Sequence, residues 1–198
     1  MAVRHDFDLL PLSSEVEVRR TRDAEVVELA ETARRLVPGV QVGAPELGRY
    51  LAFDPDCILS FARSDRLLGG MAFLYLNARG FDALLHGEFC PARPEVRFLS
   101  DPEEQASAIY IWAIVLSGRG IAGLGRAAAH LRGPRFIGAD CFAQPATPAG
   151  RSIMAATGFR PFQSSQPDLW RYQRPWHRPG PLARTIVLQN RSYEDARN

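Results

Sequence analysis

The sequence contains no lysine: all 24 of its basic residues are arginine. A Schiff-base lysine and a lysine general base are therefore excluded. Compositional drift in a GC-rich genome explains the bias without a functional cause. Cysteine is scarce too. Cys57, Cys90 and Cys141 are odd in number and show no C-x-x-C spacing. That argues against a disulfide framework or a zinc site and fits a reducing compartment. No apolar run reaches the ~18 residues of a membrane span, and no secretory signal is seen, so a cytoplasmic protein without a membrane anchor is expected. The net charge of +2 is too small to imply a nucleic-acid partner. There is no internal repeat, and 198 residues suit one domain with a substantial core.

What the chain does have is concentrated in Ala108 to Ala129, AIYIWAIVLSGRGIAGLGRAAA. An apolar run rich in Ile, Val, Tyr and Trp ends at Ser117. Gly118, Gly120, Gly123 and Gly125 follow, then small residues at helical density. The pattern predicts a buried strand, a tight loop and a helix N-terminus. Glycine lets a backbone approach a ligand closely, and the first N–H groups of a helix favour anions, so the loop is a candidate phosphate cradle.

Two readings compete for it. Gly118-Arg119-Gly120-Ile121-Ala122-Gly123 fits the dinucleotide fingerprint G-x-G-x-x-G, with Asp140 lying 22 residues after Gly118 as the ribose-binding acid. The same residues resemble the acyl-CoA loop [Q/R]-x-x-G-x-[G/A] of the GNAT N-acetyltransferase superfamily. Ser117 to Ala122 fills that pattern with Ser in the first place, and Gly120 to Gly125 fills it with Gly there. Only 75 residues follow Gly123, too few for the repeated βα units of a dinucleotide domain.

Arg135 to Ala143, RFIGADCFA, reads as a short strand. Thr147 is then a good N-cap, Pro148 suits the first helical position and Gly158 a left-handed C-terminal cap. This segment resembles the superfamily's N-x-x-A-x-x-x-Y-x-x-x-G-F, with Thr147 in the Asn place, Met154 in the Tyr place, and Gly158-Phe159 matching outright. The N-terminal half agrees in order. Glu15 to Arg20 alternates like an edge strand, and Asp23 to Val37 carries a helical period ended by Pro38-Gly39. Ala44 to Phe53 suits a short helix. Cys57 to Arg63 and Leu67 to Leu76 form a hairpin around Ser64-Asp65-Arg66.

The resemblance implies a single α/β (α+β) domain over 14–175, with a mixed, mostly antiparallel sheet flanked by helices. Residues 1–13 read as an N-terminal arm and 77–107 as an insertion carrying a short helix around Phe81 to Leu85. Residues 176–198 read as a C-terminal basic tail. That charge run starts at Arg171, and within it Thr185 to Leu188 suits an edge strand or a homodimer contact.

The resemblance also implies chemistry: acetyl-CoA (or another acyl-CoA) as cosubstrate, a small-molecule amine as acceptor, and no metal. Backbone N–H groups around Ala113, Ile114 and Val115 would polarise the thioester carbonyl. Gly118 to Gly123 and Thr147 would contact the coenzyme. The family's usual tyrosine acid is replaced by Met154, and the strand IYIWAIV carries no carboxylate to act as base. Tyr110, sharing a face with Trp112, and Asp140 are the substitutes, each weighed against a structural reading: a core tyrosine, and an acid paired with an arginine. Cys141, His86 and Tyr172 lie near the expected cleft, with packing or exposure as the default. The missing tyrosine and glutamate leave a non-catalytic acyl-CoA-binding protein as the alternative.

Overall fold

The computed structural model describes residues 6–37 and 43–174. Seven strands form one sheet: β1 (Glu17–Arg20), β2 (Ile58–Arg63), β3 (Arg66–Leu76), β4 (Ala108–Leu116), β5 (Asp140–Ala143), β6 (Arg160–Pro161) and β7 (Trp170–Tyr172). Their order is β1-β2-β3-β4-β5-β7-β6, and every pairing is antiparallel except β4 with β5. Five helices flank the sheet: α1 (Val26–Leu36), α2 (Ala44–Phe53), α3 (Ala78–His86), α4 (Leu124–His130) and α5 (Pro148–Ala156). This is the mixed, mostly antiparallel sheet that was expected, with the order β-α-α-β-β ahead of residues 77–107 and β4. No helix among the described residues is long and apolar enough to cross a membrane.

Local chemistry accounts for most boundaries. The β2–β3 turn holds Ser64 and Asp65 at φ 46° and 62°, the paired left-handed conformations of a two-residue hairpin whose twist matches the strands. In α3 the Asn77 side chain accepts from the Gly80 N–H at 2.9 Å, and Gly87 closes the helix at φ +75°. The helix therefore extends three residues before the expected Phe81. A Cβ on Gly80 would lie 2.1 Å from the Phe98 carbonyl oxygen, so only glycine lets α3 pack on the turn Val96–Phe98.

The expected strand 135–143 shortens to Asp140–Ala143. Residues 131–138 form turns instead. Pro134 has no N–H to give a ladder. Arg135 stacks 4.8 Å from the Tyr75 ring centroid and bonds Asp54 at 2.6 Å.

Residues 6–13 are part of the body rather than an arm. Phe7 is buried and meets the rings of Phe159 and Tyr172 at 5.7 and 5.6 Å. The Tyr172 hydroxyl donates to Asp6, and Arg132 donates to the Asp8 carbonyl. At the other end, Arg171 and Arg174 belong to the fold and not to a solvated tail. Residues 176–198, with the edge strand and the homodimer contact expected at 185–188, lie outside the described residues.

Glu25 anchors the start of α1 to the sheet. It takes both Arg19 guanidinium nitrogens at 2.5 and 2.9 Å, the Arg22 N–H at 3.0 Å and the Ser60 hydroxyl at 2.9 Å. The bonds from Arg19, ahead of those from Arg22 and Ser60, hold its carboxyl down at about 2, against 4.5 for a free glutamate. A depressed folded-state pKa gives stability that is fully present above pH 4.5 and is lost as pH falls toward 2. Thermal denaturation across that window should show a falling melting temperature, and Glu25→Gln should flatten the fall. An unchanged slope in Glu25→Gln would assign the acid sensitivity to other carboxylates.

Candidate functional site

The sheet opens at β4. β5 pairs with it from Ala108↔Asp140 to Ile111↔Ala143 and then ends, while β4 continues to Leu116. Beyond Ile111 that edge of a central strand has no strand beside it among the described residues. Burial changes at the same place: Ala108 to Ile111 are buried, whereas Trp112, Ala113 and Ile114 are half-buried although all are apolar.

A β-bulge sits at the junction. Phe73 faces Ile111 but Ala72 faces Ala113, which leaves Trp112 as the extra residue on β4. Such a bulge bends its strand and re-aims the residues beyond it. Past it the ladder is regular. The Ser117 N–H donates to the Leu68 carbonyl at 2.8 Å, and the Val115 carbonyl crowds Gly69 on β3. By alternation, the peptide groups of Ala113 and Val115 face β3, while those of Ile114 and Leu116 face the opening. Of the three residues expected to polarise a carbonyl, Ile114 is the one whose peptide is turned that way.

The open edge leads directly into the glycine loop, a 3₁₀ turn over Gly118–Gly123 that continues into α4. Its glycines have different causes. Gly118 is exposed at φ +53°, with open space where a Cβ would be. At Gly120 a Cβ would make ordinary contacts at 3.4 Å with Leu116 and Leu68. At Gly123 it would come within 2.6 Å of the Phe61 ring, and at Gly125 within 2.2 Å of the Pro11 carbonyl oxygen. The last two glycines therefore serve helix packing, against the sheet and against the N-terminal segment. Gly118, Arg119, Ile121 and Ala122 are the exposed members of the loop, and Gly120 and Gly123 are buried. The Arg119 guanidinium lies 3.5 Å from Glu15, which also meets Arg63 at 3.8 Å.

The acid–base candidates are engaged elsewhere. Tyr110 is buried and its hydroxyl donates to Gln144 Oε1 at 2.8 Å. Burial alone pushes its pKa well up. Gln144, which no sequence signal marks, is held in turn by Gln166 at 3.2 Å. Asp140 is buried and its carboxylate accepts three hydrogen bonds. Arg171 gives its Oδ2 two bonds at 2.8 and 2.5 Å, and the Arg174 backbone N–H gives its Oδ1 one at 3.0 Å. Asp140 is thus the arginine-paired structural acid rather than a base.

Asp140 is also in the wrong place for either chemical role. It faces Ala108 at the closed end of the β4–β5 pair. At ~3.3 Å per residue that is roughly 13 Å from Trp112 and about 30 Å from Ser117. Neither a base for the opening nor a ribose ligand for the loop fits that position. Cys141 is fully buried, and burial holds its thiol up at about 12, so it is no nucleophile. His86 is an exposed residue ending α3, bonded to the Asp82 carbonyl. Tyr172 holds the N-terminal segment. His130 lies 3.4 Å from Asp56, with burial lowering its pKa. Met154 is buried in α5. Among the described residues, no group of His, Cys, Asp or Glu side chains is arranged to hold a metal.

In α5 the expected caps are present. Thr147 Oγ1 accepts from the Gly150 N–H at 3.0 Å, Pro148 opens the helix, and Gly158 sits at φ +92°. Thr147→Ala should cost about 1 kcal/mol through the lost cap, read as a melting temperature roughly 2–4 °C lower in a protein of this size. No change would mean that water replaces the hydroxyl at no cost.

Sequence reasoning did not find the apolar cleft on the α1–α2 face of the sheet. Its floor includes Ala113 and Val115 and its walls include Leu29 and Ala33 of α1 and Leu47 of α2. Each is an ordinary core position in its own element, and only the packing of α1 and α2 on the sheet brings them together.

No protein-family model matches this chain, and no curated protein matches it in sequence. Among solved structures it is similar to the Bacillus subtilis N-acetyltransferase YlbP in complex with coenzyme A, at 14% identity and a TM-score of 0.48, over 82% of this chain and 99% of that one.

Proposed function

We propose that this protein is an acyl-CoA-dependent N-acyltransferase that moves an acyl group, acetyl in the simplest case, from the coenzyme to a small amine. One observation carries the reading: a central strand loses its neighbour at Trp112, exposes the Ile114 and Leu116 peptides, and runs straight into the glycine loop. An open strand edge recruits an extended ligand with amide groups by main-chain pairing, which suits a pantetheine arm. The exposed loop residues Gly118, Arg119, Ile121 and Ala122 would meet the phosphates, with Arg119 supplying the cation. The Ile114 N–H would polarise the thioester carbonyl. The neutral amine then attacks that carbon and the C–S bond breaks. The proton shed by the nitrogen reaches the leaving thiolate through water, because Tyr110 and Asp140 are already committed to other partners.

That commitment favours a second reading, in which the same site binds acyl-CoA without turnover. The sheet speaks against dinucleotide binding. Such domains hold the ligand at the carboxyl ends of neighbouring parallel strands, and here the loop's strand has an antiparallel neighbour on one side while Asp140 starts β5 rather than ending it.

A thermal-shift screen with acetyl-CoA, CoA and NAD(P) tests this, followed by thiol release from acetyl-CoA over a panel of amines. A ligand at 100 times its Kd adds about 2.7 kcal/mol. Stabilisation by acetyl-CoA and CoA with thiol release is expected. Stabilisation without release against any amine would select the non-catalytic reading, and a response to NAD(P) alone would overturn both.

A further inference from the structure

We infer that the acyl group handled here is longer than acetyl: an uncharged, apolar chain that lies in the cleft between α1, α2 and the sheet. The inference rests on the acyl-CoA reading and extends it. The cleft holds about 80 Å³, several times the ~10–15 Å³ that one water needs. Small residues line it: Gly70 and Ala72 on β3, Ala113 on β4 and Ala33 on α1. Helix-on-sheet interfaces are otherwise close-packed, and a void forfeits contacts.

Position and chemistry select the occupant. The cleft borders β4 at Trp112, Ala113 and Val115, the stretch where β5 has left. Trp112, the bulge residue on the open stretch of β4, also lines the cleft and meets the Tyr50 ring at 5.3 Å. A thioester held at Ile114 would therefore send its acyl chain past Trp112 into the cleft. Apart from the Trp112 indole, every lining side chain is aliphatic, Met or glycine, so the cleft offers no charged or hydroxyl side chain to an ammonium or a hydroxyl, and burying either there would be unfavourable. An alkyl chain fits and the polar amine acceptor does not.

The test compares CoA with acetyl-, butyryl-, hexanoyl- and octanoyl-CoA by isothermal calorimetry on the full chain. Affinity should rise from acetyl-CoA to hexanoyl-CoA by up to about fourfold per buried methylene. Ala33→Phe, on α1 and outside the coenzyme contacts, should fill the cleft. It should erase that rise, leave CoA and acetyl-CoA within about twofold, and keep the melting temperature. Leu47→Ala should widen the cleft and move the preference to longer chains, measured well below the melting temperature so that lost stability does not interfere. Equal affinity for all acyl-CoAs would overturn this inference and leave the acyl-CoA reading standing. A chain-length effect insensitive to both substitutions would place the chain elsewhere and overturn it too. No binding by any member of the series would sink the acyl-CoA reading itself.

Discussion

Asp140→Ala is expected to lower stability by about 3–5 kcal/mol, the usual consequence of removing one partner from a buried ion pair. The carboxylate is buried and receives three donors, two from the Arg171 guanidinium and one from the Arg174 backbone. Alanine leaves all three without their acceptor. At roughly 2–4 °C per kcal/mol for a protein of this size, the melting temperature should drop by about 6–20 °C. Turnover per folded molecule should stay within a few-fold, since the opening lies four or more residues along the strand. Asp140→Asn, which preserves shape and one acceptor, keeps the kinetic question answerable if the alanine variant does not fold. Loss of a true general base costs ~10²–10⁴ in rate. A folded Asp140→Asn protein with kcat reduced a hundredfold would restore Asp140 to catalysis and displace the structural assignment.

Arg174→Ala is expected to have an effect of the same size from a different cause. Arg174 is among the most deeply buried side chains in the protein. Its Nη1 donates to the Leu131 carbonyl at 2.6 Å, at the end of α4, and to the Phe136 carbonyl at 3.1 Å in the turns that follow, and its Nη2 lies 3.6 Å from Asp8. Among the described residues no donor meets the hydrogen-bond geometry at the Asp8 carboxylate oxygens, and burial raises its pKa against the pull of Arg174. Removing the guanidinium strands a carboxylate and two carbonyls in the core, for a loss of about 3–5 kcal/mol. Arg174→Lys should not rescue it, because one ammonium cannot span the carbonyls and the carboxylate as the planar fork does. The double variant Arg174→Met, Asp8→Leu should recover part of the loss by removing both charges together. Chemical denaturation of the three variants gives the comparison. If the double variant is no more stable than Arg174→Ala, the penalty comes from the bare carbonyls and not from Asp8.

These two residues also show where sequence reading stops. Arg174 and Arg171 sit in a run of arginines that charge alone assigns to a solvated tail, and Asp140 has the spacing of a ribose ligand. Nothing local distinguishes a surface arginine from a core one. The distinction comes from Asp8, 166 positions away in the chain, and from where β7 places its last residues. The glycine cluster behaves the same way. The sequence correctly marks a strand, a tight turn and a helix, because apolar β-rich runs, clustered glycines and helical spacing are local signals. Which glycine faces solvent and which faces Phe61 or the Pro11 carbonyl depends on elements more than fifty residues away.

The sequence by itself determined the elements whose signals are short-ranged. The helix Ala44–Phe53, the hairpin at Ser64-Asp65, the Thr147 cap with Gly158, and the strand–loop–helix around Gly118 all come from periodicity, capping hydrogen bonds and backbone conformational limits within a few residues. Tertiary structure alone decided the site. The departure of β5 from β4 after Ile111, the bulge at Trp112 and the apolar cleft arise from how separate strands and helices align. Strand partners and helix docking are set by summed long-range packing, which leaves no mark on the residues that end up lining the gap.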